Sequence, residues 1–216
     1  MEIASDFRHG EGLKLGAQVI IERDVVVGKN VKLGHRCTLK SGTRIGDNSV
    51  VDDHCITTGA CIIGSNVNVR TGATISRATI IEDWAFIGPG VITNHTLHVG
   101  HGRPKVDSHP LVTYIGFGSI IGSQVSVLAG IYIAPNVIVG GGGVVVKDLF
   151  FGGIYLGNPV TRRKAVPDSY RVPGAPPRAG YMYAEPKSLN VLIRYMKDLD
   201  TGALGAQLAR YKMSRS

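Results

Sequence analysis

Stepping by six from Ile21 meets an aliphatic residue almost without interruption: Ile21, Val27, Leu33, Leu39, Ile45, Val51, Thr57, Ile63, Val69, Ile75, Ile81, Ile87 and Thr93. Eleven of these thirteen are Ile, Leu or Val, and both exceptions are Thr, so the phase holds for more than seventy residues. The following residue is often Gly or acidic, as at Gly28, Gly34, Gly46, Asp52, Gly64, Glu82 and Gly88. Four residues after each aliphatic the side chain is compact, as at Val31, Cys37, Thr43, Ser49, Cys55, Cys61 and Ala73. Six residues are too few for a hairpin but suit one short strand and a turn. Three such units make an eighteen-residue coil, triangular in section, whose aliphatic and compact residues point inward and stack on their counterparts one coil later. All three cysteines fall on the compact inward position and read as packing residues.

The period stops after Thr93 and resumes at Ile115, Ile121, Val127, Ile133, Val139 and Val145. The step from Thr93 to Ile115 is 22 residues, not a multiple of six, so residues 94–114 leave the repeat, at least in part. A loop of that length in a compact fold is usually functional. The composition agrees with a thin, β-branched core bounded by many turns: 29 glycines in 216 residues, with only 6% aromatics. Residues 1–18, rich in Gly and charge, are expected to cap the first coil, whose open edge would otherwise invite association. Residues 164–216 are expected to form a Pro-rich strap, then a helical extension with Leu189, Leu192, Ile193, Met196 and Leu199 on one stripe.

Net charge is +8, but it is not spread evenly. Residues 1–160 carry 13 Lys+Arg against 12 Asp+Glu, and residues 161–216 carry 11 against 4, so the body is near neutral and the tail basic. No aromatics interleave with the basic residues as a nucleic-acid stacking platform requires, and no apolar run reaches the ~18–20 residues of a membrane span. The opening Met-Glu-Ile-Ala-Ser-Asp lacks the basic and apolar parts of a signal peptide, so a cytoplasmic location with free thiols is expected.

The [Ile/Leu/Val]-Gly-x4 repeat, the run from Val139 through Gly140–Gly143 to Lys147-Asp148, and the exit Gly157-Asn158-Pro159 together resemble the hexapeptide-repeat acyltransferases, over residues 19–163. The nearest subgroups are sugar and antibiotic O- or N-acetyltransferases. The resemblance implies an all-β solenoid, a left-handed parallel β-helix, with residues 1–163 as the acyltransferase domain and 164–216 as the extension. It also implies a homotrimer that binds coenzyme A in the groove between two β-helices and transfers an acyl group, acetyl above all, to a sugar or sugar-like acceptor. Acetyl-CoA is then a substrate, and no metal is called for.

Four of the seven histidines, His95, His98, His101 and His109, lie in the extruded segment. A neutral imidazole suits proton removal from an attacking hydroxyl or amine at neutral pH. His95 sits where the chain leaves the last regular strand, whereas Gly100 and Gly102 mark a looser tip, so His95 is the expected general base. The pair Asn94-His95 resembles the Asn-His of antibiotic acetyltransferases and the Thr-His of sugar O-acetyltransferases. It departs from the Thr-Asn-Asp of enzymes acting on nucleotide-linked amino sugars, which leaves O- and N-acylation both open. On the same resemblance Ser123, Gly141, Val146 and Lys147 fall at positions contacting coenzyme A, and Arg162 or Arg163 near its 3′-phosphate. The rival readings are a non-catalytic β-helix serving assembly, and a zinc hydratase like the carbonic anhydrases built on this repeat. The second needs ligands recurring on the eighteen-residue register, but His35 and His54 are nineteen apart.

Overall fold

A computed structural model describes residues 1–170 and Val172, and it is a parallel β-solenoid of about nine turns. Two- and three-residue strands stack into three sheets, one per face of the triangle. The first face holds eight strands from Glu2–Ile3 to Val144–Val145, the second seven from Arg8–His9 to Tyr132–Ile133, and the third nine from Lys14–Leu15 to Thr161–Lys164. Every pairing is parallel except the last, where Thr161–Lys164 runs antiparallel to Ile154–Leu156 and closes the upper end of the third face. The register is the eighteen-residue one: Ile20 faces Thr38, Val26 faces Arg44 and Lys32 faces Val50.

The period is a burial pattern. Every repeat position from Ile21 to Thr93 and from Ile115 to Val145 is buried. Each aliphatic so placed contributes roughly 1.5–3 kcal/mol. Cys37, Cys55 and Cys61 are buried free thiols in the core column. Burial pushes Cys55 and Cys61 up to about 12 and raises Cys37 as well, which keeps all three as packing thiols.

The Gly and the acidic residues that punctuate the repeat have a shared cause. At Gly34 a Cβ would lie 2.5 Å from the backbone nitrogen of Asp53, because the next coil packs directly on the turn. Asp53 in turn accepts a hydrogen bond from the His35 amide at 2.6 Å. One corner repeats this upward: the Lys29 amide donates to Asp47 Oδ1 at 2.7 Å, Asp47 to Ser65 Oγ at 3.1 Å, and Ser65 to Asp83 Oδ1 at 2.7 Å. Corner residues also take left-handed backbone, and one corner does so every eighteenth position at Asn30, Asn48 and Asn66, with φ of 54°, 57° and 58°, a conformation Asn tolerates well.

Two expectations need correction. Residues 1–18 are not a separate cap: Glu2–Ile3, Arg8–His9 and Lys14–Leu15 pair with the strands eighteen residues on and form a full coil. His9 at an aliphatic position and Phe7 at a compact one hide the period, and both are tolerated because no coil lies beneath them. The loop is also shorter than 94–114, since Thr113–Ile115 is a strand of the second face. Ile81 faces Ile115, 34 residues on instead of 18, so sixteen residues are extruded and the phase is then restored. The expected boundary at 163 falls inside the strand Thr161–Lys164, and the helical stripe from Leu189 to Leu199 lies outside the described residues.

Candidate functional site

The extruded loop departs from the first face after Ile92–Thr93, and its base is tied at both ends. The Asn94 amide still bonds Val127 O at 2.9 Å, and its side-chain Nδ2 donates to the same carbonyl at 3.1 Å. Thr113 Oγ1 donates to Asn94 O at 3.1 Å and accepts from the Gly130 amide at 3.2 Å. The Leu111 amide donates to His95 O at 2.7 Å. His95 is therefore half-buried on a pinned stretch of backbone, and the backbone amide and side chain of Asn94 are both spent on the neighbouring coil.

Beneath the loop base lies a buried hydroxyl network. Thr93 Oγ1 accepts from the Ser76 amide at 2.8 Å and pairs with Thr79 Oγ1 at 3.0 Å. Thr57, the other break in the aliphatic series, repeats the motif with Thr43 at 2.7 Å, two coils below and far from the loop. The pairing is therefore a structural solution to a Thr at an aliphatic position, with no chemistry attached.

The remaining loop histidines are more open to solvent than His95. His98, His101 and His109 are exposed. The His109 amide bonds Asp107 Oδ1 at 3.0 Å, and Arg103 reaches His101 O at 2.9 Å. Among the described residues no group of three His, Cys, Asp or Glu side chains is placed to hold a metal ion.

The residues expected to contact coenzyme A fall into two groups. On the register of the first face, Thr93, Val127 and Val145 share a column. The strand ladder ends at Thr93, and His95 begins the extruded segment at the same edge of the face that Val146 and Lys147 leave two coils above. Val146 lies above Asn94 in the adjacent column and is exposed. Ser123 and Gly141 stack at the other edge, where the Gly142 amide donates to Ser123 O at 2.8 Å. Gly142 has φ +69°, and nothing lies within 4 Å of where its Cβ would stand, so this corner is open backbone. The structure thus brings Ser123, Gly141, Val146, Lys147 and His95 to the two edges of one face.

The arginines are elsewhere. Arg162 and Arg163 sit on the last strand of the third face, on opposite sides of it, because successive strand residues alternate. The Arg162 guanidinium folds onto Gly152 O at 3.1 and 3.3 Å, while Arg163 is exposed.

Thr113, which fastens the loop entrance, had a legible signal: it falls 34 residues after Thr79, the same column once the insertion is subtracted. Glu82 carried less of one, since it reads as another acidic residue after an aliphatic. It is buried, and desolvation raises its pKa to about 7, opposed by the Tyr114 hydroxyl and by the Phe117 amide, which donates to Oε2 at 2.8 Å. It stands at the far corner of the second face from His95 and is not part of the site.

No family model matches the chain, and no curated protein does. Solved structures do. AntD, an N-acyltransferase from Bacillus cereus solved as a variant with dTDP and coenzyme A, is 22% identical over 72% of this chain and 85% of that chain, with a TM-score of 0.49. PerB from Caulobacter crescentus, solved with CoA and GDP-perosamine, is 20% identical over 68% of this chain, with a TM-score of 0.37. The match spans 58% of PerB. A maltose O-acetyltransferase from Clostridium difficile 630 is 18% identical over 77% of this chain and 70% of that chain, with a TM-score of 0.39. At these identities the likeness is one of fold, and the site stands on its own geometry.

Proposed function

We propose that the chain is an acyltransferase that moves an acyl group, acetyl above all, from acyl-CoA to a hydroxyl or amino group of a sugar or sugar-like acceptor. Nucleotide-linked amino sugars are among those acceptors. The observation that supports this is the first face: a pinned, half-buried His95 and Lys147 lie at one of its edges, and the opposite edge is bare at Gly141 and Gly142.

His95 would accept the proton of the acceptor as that oxygen or nitrogen bonds to the thioester carbon, and return it to the sulfur as the carbon–sulfur bond breaks. The rigid base of the loop supplies the orientation that such a transfer needs. The missing side chains at Gly141 and Gly142 leave room for an extended arm against the backbone. Lys147 and the exposed Arg163 offer positive charge to phosphate groups.

A homotrimer suits this reading, because a groove between two β-helices completes each site. The first face supports association: its outward residues Ile20, Ile56 and Ile92 are 38%, 40% and 48% exposed in one chain. A cytoplasmic location suits a coenzyme A substrate. The test is a product assay of acetyl-CoA against simple sugars, nucleotide amino sugars and aminated antibiotics, with thiol release followed. Acylated product with a member of the panel is the expected result. Acetyl-CoA bound but never turned over would favour an assembly or binding module instead.

A further inference from the structure

Thr43, Thr79 and Thr113 occupy one compact inward column of the solenoid, and the first two spend their hydroxyls in the same way. Thr43 pairs with Thr57 at 2.7 Å and Thr79 with Thr93 at 3.0 Å, the partner lying fourteen residues on in each case. The register sets Thr113 above Thr79 and Val127 above Thr93, so at the third level an isopropyl group stands where the partner hydroxyl would be. An aliphatic side chain fits this column, as the fully buried Val25 shows. A buried hydroxyl needs hydrogen-bond partners, so a Thr at 113 calls for a reason that packing does not supply.

The reason is at the base of the loop. The one hydroxyl proton of buried Thr113 goes to Asn94 O at 3.1 Å, since Leu128 O is farther off at 3.5 Å, and the oxygen accepts from the Gly130 amide at 3.2 Å. The hydroxyl thus ties the exit of the loop to its entrance and both to the coil above. Asn94 O lies in the peptide plane before the His95 Cα, and His95 O in the plane after it. The first is held by Thr113 and the second by the Leu111 amide at 2.7 Å. With both planes held, φ and ψ of His95 are held, and with them the direction of its Cα–Cβ bond. Leu111 is itself seated on a bare corner. Gly130 has φ +73°, and a Cβ there would stand 3.0 Å from Leu111 Cδ1 and 3.2 Å from Leu111 Cβ.

We infer that Thr113 is the positioning residue of His95: its hydroxyl, with Leu111 seated on Gly130, forms a clasp that aims the imidazole. The inference rests on His95 as the base proposed above. Thr113 touches no reacting atom and moves no proton in the reaction; it acts through the backbone on either side of His95.

The test uses the full chain and three variants. Thr113→Val keeps the shape and removes the hydroxyl, Thr113→Ser keeps the hydroxyl, and Thr43→Val removes a buried hydroxyl far from the loop. Thr113→Val is expected to lower kcat by about 10–100-fold with the acetyl-CoA KM within about twofold, as for a misaimed base. Thr113→Ser should stay within about threefold of the native chain and Thr43→Val within about twofold. On a His95→Ala background, Thr113→Val should cost no more than a further twofold or so, because the two act as one unit. Equal losses in Thr113→Val and Thr43→Val, or a full additional loss on His95→Ala, would overturn the inference.

A second readout needs no acceptor. Carbethoxylation by diethyl pyrocarbonate, located by mass spectrometry, reads the setting of His95 against the exposed His9. The relative rate at His95 should change by at least about threefold in Thr113→Val and return to the native value in Thr113→Ser. An unchanged rate in Thr113→Val contradicts the clasp whatever the chain acylates. The expected change in a chain that acylates nothing supports the clasp and removes only the proposed function. Should Thr113→Val fail to fold, amide exchange in the native chain decides. The Leu111 and Gly130 amides should exchange at least about a hundredfold more slowly than those of Val99 and Gly102, and similar rates would contradict the inference.

Discussion

The corners of the lower coils and those of the upper coils solve the same turn with different residues. Below the loop the left-handed positions are mostly filled by side chains: Gln18, Asp24, Asn30, Arg36, Asn48, His54 and Asn66. Their neighbours Asp47, Ser65 and Asp83 tie each coil to the one beneath. From the loop upward the same positions are largely Gly90, Gly118, Gly130 and Gly142, whose amides bond the coil beneath through backbone carbonyls at Gly90, Gly118 and Gly142 and through Thr113 Oγ1 at Gly130. A corner closed by hydrogen-bonded side chains serves stability. A bare corner across the face from a pinned histidine gives a ligand room to approach the backbone, and the corner at Gly118 lies against Val172.

His95 against His54 tests the comparison most severely. Both are histidines beside corners, but only His95 lies at the loop base. His95→Ala is expected to lower turnover by about 10²–10⁴-fold with acetyl-CoA affinity nearly unchanged, as for an interaction made in the transition state. His54→Ala should leave turnover within about twofold, the range of an ordinary surface change. Steady-state kinetics on both variants reads the difference. Near-normal turnover in His95→Ala with a raised acceptor KM would make His95 a binding residue only.

Glu82 comes next in size. Its pKa is about 7 in the folded protein and 4.5 when unperturbed, so folding favours the protonated form. Its contribution is complete below pH 4.5 and is lost as pH rises to and through 7, a change of about 3 kcal/mol at most. Glu82→Gln should therefore be more stable than the native chain above pH 7, with the gap closing towards pH 4.5. Denaturant melts across that range check it, and a gap of constant size would refute the assignment.

The arginine strand follows. Replacing Arg162 and Arg163 together with Ala should weaken coenzyme A by roughly ten- to hundredfold and dephospho-coenzyme A by much less, the range for a charge-assisted contact. Arg163 should carry more of the loss, since Arg162 is held by Gly152 O. Equal loss for both ligands would make the pair part of the basic tail. The smallest effect belongs to the lower coils: Asp47→Ala removes one corner bond and should cost about 1 kcal/mol with kinetics intact. A thermal melt beside a turnover assay checks both halves.

The solenoid was legible in the sequence because one rule repeats: each inward aliphatic, from Ile21 to Val145, is read by the same packing. The first coil escaped that rule because Phe7 and His9 sit at an open end, where size and polarity are not policed by a coil below. The end of the loop was misjudged at 114 because counting by six does not show which residues pair, and only the strand facing Ile81 fixes the insertion at sixteen. His95 was singled out by its neighbours in sequence. That it shares an edge of the first face with Lys147 needs the restored register, which no local motif contains. The parting of Arg162 and Arg163 from that edge depends on the strand Thr161–Lys164 running back along the third face, and proximity in sequence conceals it.

The central claim is that the bare upper corner holds coenzyme A. Titration calorimetry of acetyl-CoA into the native chain, Gly141→Val and Asp47→Ala tests it most directly. The native chain and Asp47→Ala should bind alike. Gly141→Val should lose at least about tenfold, or 1.4 kcal/mol, because its branched side chain fills the approach to Ser123 O. No saturable binding by the native chain, or equal binding by all three, would contradict the account.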